Sequence, residues 1–198
     1  MRAQRVGTAL HLLSTIAAAS IVGTICGVGA WALFDSLDRA TNLRLDHPWF
    51  LWLLPMTALV LGLTYHHLGA ESRRGTSLVI ERSLPPHESE VSESSTPQVP
   101  ARMAPLIFAA TFLAQLCGAS VGREGAAVQI GGSLTSFVTR PLRLSSNDSR
   151  LMLVAAIAGS FGGAFGVPIA GAIFALEVQQ TGRLRYEGLA PALSAAIT

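Results

Sequence analysis

The chemistry of this chain is concentrated in one stretch, Gly122-Arg123-Glu124-Gly125-Ala126-Ala127-Val128-Gln129-Ile130-Gly131-Gly132. An Arg-Glu pair stands between glycines, inside apolar sequence that runs from Leu106 to Val138. Ionisable side chains in such surroundings are expensive and point to function. Gly122 and Gly125 let the backbone turn without a Cβ penalty, and Ala126 to Ile130 reads as the start of a helix. A helix that begins inside a membrane aims unpaired N–H groups at the gap, where they favour an anion. A carboxylate tied to the same spot competes with that anion, so Glu124 has the makings of a gate. A carboxylate buried in apolar surroundings favours its neutral form. Glu124 is therefore expected to be buried, to swing out carrying a proton, and to return as a carboxylate. An Arg123–Glu124 salt bridge is the alternative, but adjacent residues do not face each other on a helix.

A second polar cluster precedes it, in Glu71-Ser72-Arg73-Arg74-Gly75-Thr76-Ser77-Leu78-Val79-Ile80. Thr76 and Ser77 stand at a helix start, where either hydroxyl could cap the helix. Either could instead donate to an anion. The remaining reactive residues offer less. His66 and His67 are an adjacent pair without the further ligands a metal site needs. Cys26 and Cys117 lie far apart in apolar segments and read as small buried hydrophobes. No His, Ser or Cys nucleophile stands at a telling position around Glu124. An intramembrane enzyme using Glu124 as acid or base is therefore a remote alternative, and neither cofactor nor metal is expected.

The elements that must position these residues are membrane-like. Half of the 198 residues are hydrophobic, 13% are charged, and the mean hydropathy is +0.46. These values fit an integral membrane protein, and a net charge of +2 is too small to argue for nucleic acid. Arg2 and Arg5 precede an apolar segment from Ala9 to Phe34. That segment exceeds the roughly 7–15 residues of a signal-peptide core. The arginines put the N-terminus in the cytoplasm. Gly23, Gly27 and Gly29 form a helix-packing face. Asp35 to Pro48 reads as a polar connection, and Trp49 to Leu68 as a second span kinked at Pro55, with His66 and His67 at its cytoplasmic end.

Residues 83–100 hold four prolines with serines and glutamates. They are expected to form a mobile polar loop within one membrane domain covering 1–198. Ala104 to Ala119 leads into the central stretch, and Leu134 to Val138 completes its helix. Thr139 to Arg150, with Arg140, Arg143 and Arg150, reads as a cytoplasmic connection. Leu151 to Phe165 is apolar, Gly166-Val167-Pro168 breaks it, and Ile169 to Val178 resumes. Leu189 to Thr198 stops in mid-run, so the ending reads as a cut. Interrupted helices in a membrane are tolerated where they line a cavity.

With these residues in view, the chain resembles the CLC family of anion channels and proton-coupled anion transporters. The family's gating motif is Gly-Arg-Glu-Gly-Pro, two residues, then Gln-Ile-Gly; here Gly122 to Gly131 match it, with Ala126 in place of the proline. A second signature, an Ala/Gly-rich segment leading to Pro-Leu-Ala-Gly and a helix ending in glutamate, is matched by Ala164-Phe165-Gly166-Val167-Pro168-Ile169-Ala170-Gly171 and Phe174-Ala175-Leu176-Glu177. The resemblance implies an all-α membrane protein with the CLC-type inverted-repeat transporter fold. This chain would be the first repeat, its broken helices meeting at an anion site. It also implies a homodimer.

Three departures single out one branch. The gating motif lacks its proline. Gly75-Thr76-Ser77-Leu78-Val79-Ile80 replaces the usual Gly-Ser-Gly-Ile-Pro anion loop. Val178 follows Glu177 where chloride/proton members place an internal proton acceptor. These features, with Arg102-Met103-Ala104-Pro105-Leu106, resemble the bacterial branch that exchanges fluoride for protons. The resemblance then implies proton-coupled fluoride export across a bacterial inner membrane, with a chloride-selective channel or chloride/proton antiporter as the alternative. Glu124 would be the gate and proton carrier. Arg123, Glu124 and Gly125 would give backbone N–H groups to the anion, and Thr76 a hydroxyl, with Ser77 as runner-up. Glu177 would serve structure or a pore vestibule.

Overall fold

A computed structural model describes residues 2–67, 74–84, 98–179 and 186–198, without the side chains of 2–9 and 186. Every regular element among them is helical. The first helix, α1, runs without a break from Arg2 to Asp46. The expected connection from Asp35 to Pro48 thus shrinks to His47 and its neighbours. The reason lies in the sequence. Ala19, Val22, Cys26, Ala30, Leu33, Leu37 and Ala40 are all buried, and their spacing of three and four carries one helical face through the polar segment. Asp35 and Arg39 add an i,i+4 pair on the outside, 2.8 Å apart. Pro48 disfavours helical backbone at His47 and stops the helix.

Pro48–Leu53 forms a 3-10 turn, and α2 follows from Leu54 to His67. Pro55 falls in the first turn of α2, where its missing N–H costs nothing, so it starts the helix instead of kinking it. No residue of α2 is buried. Leu10–Asp46 and Pro48–His67 are long and apolar enough to cross a membrane.

The helix α3 covers Thr76–Ser83. Of the expected loop at 83–100, residues 85–97 lie outside the described residues. Its two ends are anchored, since Ser83 belongs to α3 and Val99 is fully buried. α4 (Met103–Leu116) and α5 (Arg123–Leu134) form an antiparallel pair. At the start of α4 the Ala104 N–H donates to Ser133 Oγ near the end of α5, at 3.1 Å, and that hydroxyl in turn reaches the Pro100 carbonyl at 2.7 Å. α5 does not continue to Val138 as expected. It ends at Leu134 and a one-turn helix, α6, covers Ser136–Thr139. Thr135 and Ser136 hydroxyls bond back to the Gly132 and Ser133 carbonyls, an alternative that bends helices.

The packing centre is α7 (Ser146–Phe165), apolar and buried nearly all round. Ser145 caps it, its Oγ accepting from the Asp148 N–H at 3.1 Å. Gly166, at φ 68°, ends it in the left-handed conformation. Pro168 then opens α8 (Pro168–Glu177), so the expected interruption is present. α8 sits so close to α7 that a Cβ on Gly171 would lie 2.8 Å from the Ala158 carbonyl oxygen. α9 (Leu189–Ile197) returns against α1 and α7. Ser20 and Ser194 hydroxyls bond at 2.6 Å, the Thr198 hydroxyl donates to the Ser20 carbonyl at 3.1 Å, and the Gly23 backbone rests on Ala195.

Candidate anion-binding site

Two short helices begin at the same place. A Cβ built on Gly125 would lie 3.3 Å from Thr76 Oγ1, and one on Gly132 would lie 2.6 Å from Val79 Cγ1. Thr76 beside Gly125 and Val79 beside Gly132 make α3 and α5 parallel neighbours with their N-termini together. Their dipoles therefore add positive potential at one point instead of cancelling. Gly75 makes the tight approach into α3 possible, since φ 59° is a conformation that side chains disfavour.

Neither helix has a side-chain cap. This corrects the capping expectation for Thr76 and Ser77. The cap position belongs to Gly75, Thr76 is the first helical residue, and Ser77 is exposed. The first backbone bonds are Leu78 N–H to Gly75 and Ala126 N–H to Gly122. The amides of Thr76, Ser77, Arg123, Glu124 and Gly125 all precede them and have no intrahelical acceptor.

The Thr76 hydroxyl crosses to α5. It accepts from Gln129 Nε2 at 3.1 Å and reaches the Gly125 carbonyl at 3.4 Å. Sequence reasoning gave Gln129 no role. A signal was present, because Gln129 is polar, sits among apolar residues, and lies one turn from Gly125 on the same face.

Glu124 departs from expectation. Its side chain is exposed, whereas Ala126, Ala127 and Val128 just behind it are buried. The first turn of α5 projects beyond the cover that α1, α3 and α4 provide. Arg123 does not pair with it either. Its guanidinium reaches across to α1 and meets Asp38 at 3.2 Å. Arg123, Glu124 and Gly125 thus stand together at the start of α5 with Thr76 beside them.

The two ends of α1 fix where this site lies. Near one end, His11 meets Asp148 at 3.5 Å, which places the Arg-rich connection 139–150 there. Toward the other end, Asp38 holds Arg123. At 1.5 Å per residue the 27 residues from His11 to Asp38 span about 40 Å. Glu177 is exposed at the end of α8 and is not part of the Thr76–Glu124 cluster. Both cysteines are buried, and Cys117 Sγ lies 3.1 Å from Thr57 Oγ1.

Membrane-length helices, interrupted helices with uncapped N-termini, and the exposed carboxylate of Glu124 beside them define an integral membrane protein with a candidate anion site. Residues 57–198 match the voltage gated chloride channel family, and the chain belongs to that family. It is 40% identical over 187 residues to the chloride/fluoride channel protein of Pseudomonas syringae pv. tomato, covering 94% of this chain and 39% of that protein. It is 29% identical over 173 residues to the H(+)/Cl(-) exchange transporter ClcA of Salmonella arizonae, covering 83% of this chain and 36% of that protein. The fold matches the crystal structure of a CLC-type fluoride/proton antiporter with a TM-score of 0.83 at 27% identity, over 94% of this chain and 45% of that one. The chain spans less than half the length of each of these relatives.

Proposed function

We propose that this chain forms one side of the anion pathway in a proton-coupled fluoride exporter. The observation that carries the reading is the meeting of two uncapped helix starts at Thr76 and Gly125, next to the exposed carboxylate of Glu124. Fluoride is small and strongly hydrated, so only several convergent donors can replace its water. The amides of Arg123, Glu124 and Gly125 and the hydroxyl of Thr76 are such a set, with Ser77 at its edge. Hydrogen bonds to an ionised partner are roughly twice as strong as neutral ones. Glu124 occupies the place of the anion as a carboxylate and releases it when protonated, which couples one movement to the other. The role is transport, not catalysis.

The family resemblance supports a homodimer in a bacterial inner membrane. The Arg-rich connection beside the N-terminal end of α1 supports a cytoplasmic N-terminus. A chloride-selective transporter is the second reading, favoured by the likeness to the H(+)/Cl(-) exchange transporter. Liposomes carrying the protein separate the two. Fluoride efflux that drives proton uptake supports the first, whereas equal or greater chloride exchange supports the second.

A further inference from the structure

Where α4 begins, an open cleft of about 360 Å³ is lined by Gln98, Pro100, Ala101, Arg102 and Arg140. Its lining is held in place. Val99, between two of the lining residues, is fully buried. The Ser133 hydroxyl, near the end of α5, reaches the Pro100 carbonyl at 2.7 Å and the Ala101 carbonyl at 3.1 Å. Arg140, just past α6, is aimed by its Nε, which donates to Gln98 Oε1 at 2.9 Å. A guanidinium has five donors and never loses its charge, so four remain after that bond. Among the described residues the lining holds two guanidiniums and no carboxylate, and neither guanidinium meets a carboxylate elsewhere.

The cleft lies far from the Thr76–Glu124 cluster. Arg140 opens the connection 139–150, which Asp148 ties to the His11 end of α1, whereas Arg123 sits toward the other end. Apolar side chains flank it. Phe137, one helical turn before Arg140, and Leu142, two residues after it, are both exposed. Fixed guanidiniums beside exposed apolar groups, at the end of a membrane helix, suit the layer where phosphate headgroups meet acyl chains.

We propose that this cleft holds the headgroup phosphate of an anionic phospholipid, with the Arg102 and Arg140 guanidiniums on its oxygens and an acyl chain along Phe137 and Leu142. The planar fork of a guanidinium matches phosphate geometry, and basic pockets at the cytoplasmic ends of membrane helices take such headgroups. The inference goes beyond ion transport and holds whichever anion the protein carries. The bound lipid joins the head of α4 to the end of the α5–α6 pair, beside the link that Ser133 already makes.

The test is native mass spectrometry of the purified protein in detergent, titrated with phosphatidylglycerol or with phosphatidylcholine of the same acyl chains. The wild-type protein should prefer phosphatidylglycerol. Arg102→Gln and Arg140→Gln should each weaken its retention about fivefold, the worth of one basic residue at a lipid surface. Arg143→Gln removes the same charge from the same connection outside the cleft, and screening should hold its effect below about twofold. Ala101→Glu places a carboxylate in the lining and should also abolish the preference, so it decides if an arginine variant does not fold. Equal retention of the two lipids, or a loss in Arg143→Gln as large as in Arg140→Gln, would overturn the site. Displacement of the lipid by soluble glycerol phosphate at equal concentration would overturn the lipid assignment in favour of a free phosphate. None of these readings depends on halide flux, so a failure here leaves the transport reading standing.

Discussion

The side-chain amide of Gln129 donates to the hydroxyl of Thr76 at 3.1 Å, joining α5 to the first residue of α3. A hydroxyl has one proton and two lone pairs. With an N–H already directed at the oxygen, the Thr76 proton must point elsewhere. In this structure it faces the Gly125 carbonyl at 3.4 Å, a long contact that a stronger acceptor can replace. Gln129 therefore acts as a positioning residue that keeps Thr76 a donor.

Replacing Glu124 by Gln should preserve anion passage and abolish its coupling to protons. The amide is close in shape to the carboxyl but cannot exchange a proton. Paired pH and fluoride recordings from liposomes check this. Uphill proton movement by Glu124→Gln under a fluoride gradient would exclude Glu124 as the carrier.

Thr76→Ser should weaken preference for fluoride over chloride, because the smaller residue loses the methyl group that fixes its rotamer. Gln129→Met should weaken anion binding by about 0.5–1.5 kcal/mol, the usual worth of one hydrogen bond, with proton coupling retained. The fluoride-to-chloride flux ratio reads both. A ratio indifferent to Thr76→Ser would shift attention to exposed Ser77.

Gly171→Ala should destabilise the protein by about 1–3 kcal/mol, as overpacking does. Its Cβ would meet the Ala158 carbonyl and the Gly162 amide nitrogen at 2.8 Å, and backbone cannot step aside. Gly27→Ala is the contrast. Nothing lies within 4 Å of that position, so the better helix propensity of Ala should leave stability level or raised by up to about 1 kcal/mol. Thermal unfolding in detergent distinguishes them, and equal melting points would refute the close α7–α8 approach.

Ser133→Ala should cost about 1–3 kcal/mol. Ser133 is completely buried, and its loss leaves the Ala104 N–H at the head of α4 without the acceptor it has now. Ser133→Cys, which keeps a weak acceptor, should cost less on the same melting assay.

Much of this fold could be read from the residues, and the misses have physical causes. The break at Gly166-Val167-Pro168 was visible because glycine and proline act locally. The continuation of α1 through Asp35 to Asp46 was obscured by charge, although Leu33, Leu37 and Ala40 kept the helical period. The parting of α5 from α6 depends on hydroxyls of Thr135 and Ser136 turning back on the helix, which composition alone does not announce. At the site, Arg123-Glu124-Gly125 stood out as charge in apolar sequence. The side-chain geometry did not, since Arg123 pairs with Asp38, 85 residues away. Likewise the Gln129–Thr76 bond joins two helices 53 residues apart. The exposure of Glu124 follows from which elements cover the first turn of α5, and no local pattern encodes that.

The clasp between α1 and α9 has a consequence for how the molecule is made. Ser20 meets Ser194, a partner 174 residues further along the chain. At about 5–20 residues per second of synthesis, α1 waits roughly 10–35 s for it. Through that interval the shallow track at Ser20 and Gly23 must lie against lipid or a passing neighbour. Its hydroxyls can tolerate the delay by bonding to their own helix, as Thr24 does with the Ser20 carbonyl at 2.9 Å. Assembly is thus ordered in time: α1 is made well before α9 arrives to lock its Ser20–Gly23 track.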